Sequence, residues 1–157
     1  PIMPTITNDQ ELKEALQVLS PAQHRVLGAR FVQSISRLVR DERVQNSIAI
    51  ALRDDATPEE LEDAFKVAKS HVAKSYTECG RDTEWLAQAD HFAACAIAGA
   101  LTPEALLTEK ENRAWTAAAK ARMAVNCEMV VADSPVGEVS EAQRQYDITA
   151  DFLAARA

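Results

Sequence analysis

The sequence predicts an all-α fold of about seven helices, a compact bundle or a stack of helical hairpins. Three observations predict it. Alanine makes up roughly a fifth of the 157 residues, and with Leu, Glu, Gln, Lys and Arg it belongs to the strong helix formers. Glycine and proline, which interrupt helices, number only 4 and 6. The Val and Ile residues fall at helical spacing, and no stretch alternates as a half-buried strand does.

Each helix has a local signal. The first is predicted over about Asn8 to Leu19, capped by Asn8 or Asp9, with Leu12, Ala15, Leu16 and Leu19 on one face. Ser20-Pro21 ends it and opens the second, Ser as cap and Pro in the first turn. That second helix runs to about Arg40 and aligns Leu27, Phe31, Ile35 and Leu38. A third spans about Asp41 to Arg53, with Val44, Ile48, Ala51 and Leu52 on one face. Thr57-Pro58-Glu59-Glu60 combines a cap, a first-turn proline and the glutamate of a capping box. It opens a helix striped by Leu61, Phe65, Ala68, Val72 and Tyr76, which Cys79-Gly80 ends.

The fifth helix, about Asp82 to Leu101, offers Trp85, Leu86, Ala89, Phe92, Ala93, Ala96 and Ala100. Thr102-Pro103-Glu104 starts another helical segment, and Thr108-Glu109-Lys110-Glu111 reads as a second capping box. A long helix then runs to about Ala132. It is apolar nearly all round from Ala114 to Val131, the pattern of a central, surrounded element. Ser134-Pro135-Val136-Gly137 reads as a turn. Ser140 with Gln143 caps a last helix carrying Tyr146, Ile148, Phe152 and Leu153.

The starts at Ser20-Pro21, Thr57-Pro58 and Thr102-Pro103 are separated by intervals that overlap the periods of helical-hairpin repeats. Ser or Thr before Pro also begins helices generally, so the spacing leaves both architectures open. Nothing resembling a linker divides the chain, and a single all-helical domain over 1–157 is expected.

Composition narrows the function. The net charge is −7, which disfavours a nucleic-acid partner and would steer a basic protein one. No apolar run approaches the roughly 20 residues that cross a bilayer, and Pro1-Ile2-Met3-Pro4 has no signal-peptide character. Cys79, Cys95 and Cys127 are widely spaced and form no CxxC pair, as suits a reducing compartment. A cytoplasmic protein with no membrane partner is expected.

Chemistry is harder to find. A di-metal site in a bundle takes Glu-x-x-His pairs. His24, His71 and His91 are preceded at that spacing by Pro21, Ala68 and Gln88, so no metal ligands are assigned. The four glycines are too scattered for a phosphate loop, and no nucleophile elbow or P-loop occurs. His91 and Cys95 lie four apart, but a helical wheel turns His91 toward solvent, opposite Trp85, Ala89 and Ala96. No catalytic residue and no cofactor is assigned.

Two sets of residues stand out as candidates. Arg122, Asn126 and Glu128, with Trp115, sit on the helix predicted to be surrounded. Polar groups there must either line a pocket or satisfy one another in a buried network. Arg30, Arg37 and Arg40 lie opposite the Phe31/Ile35/Leu38 stripe, in a segment with six arginines against Asp41 and Glu42. They read as an anion or acidic-partner patch, or as a solvated face.

Asp41-Glu42-Arg43, Asn46-Ser47-Ile48-Ala49, Thr57-Pro58-Glu59-Glu60-Leu61 and the Ala-rich segments 93–100 and 114–124 together resemble the immunity proteins of bacterial toxin systems. Those are small, Ala-rich, all-helical chains, and the resemblance covers about half of this one. It implies a stoichiometric protein that binds and blocks a toxin without catalysis, with a protein as partner. Two alternatives remain: a helical protein or enzyme holding a small ligand near Arg122 and Asn126, and a structural homo-oligomer joined through Ala-rich faces.

Overall fold

The structure is a computed structural model and describes residues 5–79, 84–132 and 140–156. Among these residues there are seven α-helices and no strand. They are α1 (Asp9–Gln17), α2 (Pro21–Gln33), α3 (Glu42–Ala51), α4 (Pro58–Cys79), α5 (Trp85–Leu101), α6 (Arg113–Ala132) and α7 (Glu141–Arg156). Short 3-10 turns cover Ser36–Leu38 and Glu104–Leu106. The all-α expectation holds.

The predicted caps at Asn8, Ser20, Thr57 and Ser140 form where side chains can reach the free N–H groups of a first turn, whereas at Thr108 the Glu111 N–H bonds to the backbone carbonyl instead of the hydroxyl. Asn8 accepts from the Glu11 N–H at 2.9 Å, and Ser20 and Gln23 exchange bonds at 3.2 and 2.8 Å. Thr57 and Glu60 do the same, both at 3.1 Å. Asp41 accepts from the Arg43 and Val44 N–H groups at the start of α3. Ser140 accepts from the Gln143 N–H at 3.2 Å, starting α7.

Several boundaries and faces differ from expectation. Helix α2 stops at Gln33, short of Arg40. Past it, the Gln45 side-chain amide donates to the carbonyls of Ser36 and Val39 at 2.8 and 3.0 Å, so a tertiary partner takes over carbonyls a continued helix would use. The segment after Thr102-Pro103 makes only a 3-10 turn. Asn112 caps α6, its side-chain oxygen accepting from the Ala114 and Trp115 N–H groups. Tyr76 is 72 % exposed and Trp85 and Leu86 lie at the surface, not in the core. The predicted stops at Gly80 and at Ser134–Gly137 lie outside the described residues.

The surrounded helix is α5, not α6. Ten of its residues are buried, among them Ala89, Ala93, Ala96, Ile97 and Ala100. On α6 the buried set is the single stripe Ala114, Ala117, Ala118, Ala121, Ala124 and Cys127, while Met123, Val130 and Val131 are exposed. Alanine is small and apolar enough to sit on either face, so an alanine-rich helix reads as apolar all round whichever way it packs.

Helix α5 runs antiparallel to α4 and α6, and α2 packs on both α5 and α6. Packing that skips chain neighbours is that of a bundle around α5 rather than of hairpins stacked in order. The approach is close: a Cβ on Gly28 would stand 3.1 Å from the Ala100 Cβ and 3.2 Å from the Ala117 Cβ. One on Gly99 would stand 2.7 Å from the Thr116 methyl. The alanines of 93–100 and 114–124 are thus spent largely on internal packing. A second, smaller core joins α1 and α7 to the other side, around Leu12, Leu16, Leu27, Phe31 and Tyr146.

Candidate functional site

The three Ser/Thr-Pro signals meet in space. Pro21, Pro58 and Pro103 all line one cleft of about 670 Å³, at the end of the bundle where α2, α4 and α6 begin and α5 finishes. The capping boxes at Ser20 and Thr57 fix where the first turns stand, and the 3-10 turn after Pro103 closes the third side. Leu61 and Phe65 of α4 face Leu101 of α5 across it, with Leu106 at the rim. The walls are mainly apolar. No Ser, Cys or His is among the residues lining it.

Its charge is cationic in a chain of net −7. Lys66 and Glu62 pair with each other at 3.1 Å, one helical turn apart. That leaves Arg25 and Arg113 as the unbalanced charge of the cleft. Arg25 donates from Nε to the Ala51 carbonyl at 3.1 Å and from Nη2 to the Arg53 carbonyl at 2.7 Å, capping the end of α3. Arg113 donates from Nε to the Thr102 carbonyl at 2.7 Å and, at 3.4 Å, from Nη1 to the Pro21 carbonyl. Among the described residues neither has a carboxylate within ion-pair distance. Burial lowers the pKa of both guanidiniums, Asp54 partly offsetting this for Arg25 and Glu104 for Arg113, while the charge of Arg25 lowers Arg113 further. Lowered cations in an apolar recess favour an anion beside them.

A second polar cluster lies between α4 and α5, away from this cleft. Asp90 accepts from the Arg40 N–H and faces His71 Nε2, each at 2.7 Å. Asp41 stands 3.5 Å from His71 Nδ1, which has no hydrogen-bond partner among the described residues. One turn on, the Ser75 hydroxyl donates its proton to the His71 carbonyl at 2.7 Å and so accepts from His91 Nδ1 at 2.8 Å. That tautomer leaves His91 Nε2 as an acceptor 3.6 Å from Cys95 Sγ. Burial lowers the His91 pKa, which favours the neutral ring. His91 is 8 % exposed, which corrects its expected turn toward solvent. The wheel failed because α5 is covered on more than one side. Among the described residues, no group of three or more His, Cys, Asp or Glu side chains could hold a metal ion.

The residues singled out from sequence go to other duties. Arg122 forms a bidentate pair with Asp9 at 2.8 and 3.0 Å and donates to Gln145 at 2.8 Å, and Tyr146 donates to the same Asp9 carboxylate. Its guanidinium lies 5.4 Å from the centre of the Trp115 ring, over which Lys13 also sits. Arg122 and Trp115 therefore join one polar network. Asn126 is exposed and apart from it, and Glu128 pairs instead with Arg37 at 2.7 Å. None of these four residues lines the arginine cleft. Arg40 pairs with Glu84, and Arg30 rests over Phe152, so the three arginines of the expected patch are divided among separate partners.

Sequence reasoning missed Arg25 and Arg113. The available signal was their position: each lies within the first two turns of a helix whose start the caps define. Among the described residues, no helix is long and apolar enough to cross a membrane. Compared with protein-family models, with curated proteins and with solved structures, the chain matches none.

Proposed function

We propose that this chain is a noncatalytic binding protein that holds a small apolar ligand in the cleft between α2, α4 and α5. The supporting observation is the cleft itself. Its volume of about 670 Å³ falls within the range of small-molecule sites, roughly 300–1,000 Å³, and its walls combine apolar side chains with a few convergent polar groups. The lining residues include no Ser, Thr, Cys, His or Tyr, and the two that could act as nucleophiles, Glu62 and Lys66, are paired with each other at 3.1 Å, which favours binding over turnover. The earlier alternative of a ligand near Arg122 and Asn126 gives way to this place, because Arg122 is already engaged by Asp9 and Gln145.

The test is a titration with the neutral fluorophore N-phenylnaphthylamine. Saturable one-to-one binding is expected. Ala22 is an exposed residue of α2 on the cleft wall, so Ala22→Trp should fill the cleft without unfolding the helix. It should weaken binding by about tenfold or more. Binding that does not saturate, or that Ala22→Trp leaves unchanged, would remove the reading.

A second reading, a module that binds and blocks a basic protein in the manner of an immunity protein, is supported by the net charge of −7. A pull-down with a basic toxin domain, weakened by salt, would favour it.

A further inference from the structure

The charge of the cleft points to more than an apolar ligand. Each guanidinium carries five N–H donors. Arg25 spends Nε and Nη2 on backbone carbonyls, and Arg113 spends Nε and Nη1. Nη1 of Arg25 and Nη2 of Arg113 have no protein acceptor among the described residues. Their backbone bonds also hold both side chains in place at the ends of α3 and α5, so a ligand need not order them. The nearest compensating acids act only at a distance: Asp54 on Arg25, Glu104 on Arg113. Three helices, α2, α4 and α6, begin at this end of the bundle and two, α3 and α5, finish there, so positive dipole ends outnumber negative ones.

We infer that the ligand of this cleft is a small apolar monocarboxylate, its tail lying along Leu61, Phe65 and Leu101 and its carboxylate received by Arg25 and Arg113. This rests on the binding reading above. A terminal nitrogen left without a protein acceptor on each of two cleft-lining arginines offers donors to the two oxygens of a carboxylate, and charge-assisted bonds of this kind are the strong ones. A neutral ligand would leave the two half-buried cations compensated only in part, by Asp54 and Glu104. A cationic ligand would be repelled. The volume suits a short acyl chain or an aryl carboxylate and excludes a folded partner.

The test uses the unmodified protein and displacement of bound N-phenylnaphthylamine by octanoate, octanol and octylamine. Octanoate is expected to bind about tenfold more tightly than octanol, with octylamine weakest. Raising the salt should shrink the octanoate advantage and leave octanol unchanged. Arg113→Gln should reduce that advantage to about threefold or less. Should this variant unfold, the ligand series alone decides. Equal binding of octanoate and octanol overturns the carboxylate and leaves the cleft as an apolar site. Failure of the fluorophore to bind removes both. Tighter displacement by a Leu-rich pentapeptide with a free C-terminus than by octanoate overturns the small-molecule assignment.

Discussion

Arg122 and Asp9 lie 113 residues apart in sequence, and both terminal nitrogens of the arginine meet the carboxylate at 2.8 and 3.0 Å. The pair fastens α1 to α6, and Tyr146 brings α7 to the same oxygen at 2.8 Å. The hydrogen bond from Arg122 is the largest cause that holds the Asp9 pKa below 3.8, with Tyr146 adding to it. A carboxylate lowered on folding stabilises the protein above its unfolded pKa, and that contribution fades as pH falls through 3.8. Asp9 is 44 % exposed, so solvent screens the pair. Asp9→Asn should cost about 1 kcal/mol in urea melts at pH 7. The gap between variant and wild type should narrow as pH falls below 3.8.

Glu141 has the opposite sign. It is buried at the first position of α7, its Oε1 has no hydrogen-bond partner among the described residues, and Arg144 stands 3.7 Å from Oε2. Burial raises its pKa above 4.5, with the positive charge of Arg144 opposing. Its favourable contribution is therefore complete below pH 4.5 and is lost as pH rises through the higher folded value. Glu141→Gln should stabilise the protein by about 1 kcal/mol at pH 7. It should match wild type at pH 4. Thermal melts at the two pH values check this.

Ser75 carries a structural load out of proportion to its size. It is 2 % exposed and joins the His71 carbonyl to His91 Nδ1. Ser75→Ala strands a buried ring N–H, at about 1–3 kcal/mol. Chemical denaturation should show the lower midpoint, and nitrogen-15 shifts should show His91 losing its preference for the Nδ1–H tautomer.

Gly28 tests the packing at the centre of the bundle. A methyl there already stands 3.1 Å from Ala100, 3.2 Å from Ala117 and 3.3 Å from the Arg113 carbonyl. Gly28→Val adds two further carbons to that space and should destabilise by about 1–3 kcal/mol or more. An unchanged melting temperature would show that α2 can draw away from α5 and α6.

Much of the fold was legible because helix starts are local. Asn8, Ser20, Thr57 and Ser140 cap where the sequence places a cap, since a side-chain oxygen and the N–H groups of the next turn lie within three residues. Which helix is surrounded was not legible. Alanine carries little facing information, and α5 and α6 divide the role by how closely Gly28 and Gly99 let helices approach. The early end of α2 depends on Gln45 reaching back to Ser36 and Val39, a contact no local pattern contains.

The site was the least legible part. Arg25 and Arg113 look like ordinary surface arginines, separated by most of the chain. Their common place follows from α2 and α6 starting at the same end of the bundle, and from Pro103 turning the chain between α5 and α6. Conversely, Arg122 drew notice as a polar residue on an apolar helix and proved to be satisfied within the fold.

The arginine-lined cleft is most directly tested by methyl-resolved two-dimensional NMR of the whole chain titrated with octanoate. Saturable shifts are expected at the methyl groups of Leu61, Leu101 and Leu106, which line the cleft, and none at Leu12 and Leu16 in the second core. Shifts confined to the second core, or a spectrum unchanged at saturating octanoate, would contradict it.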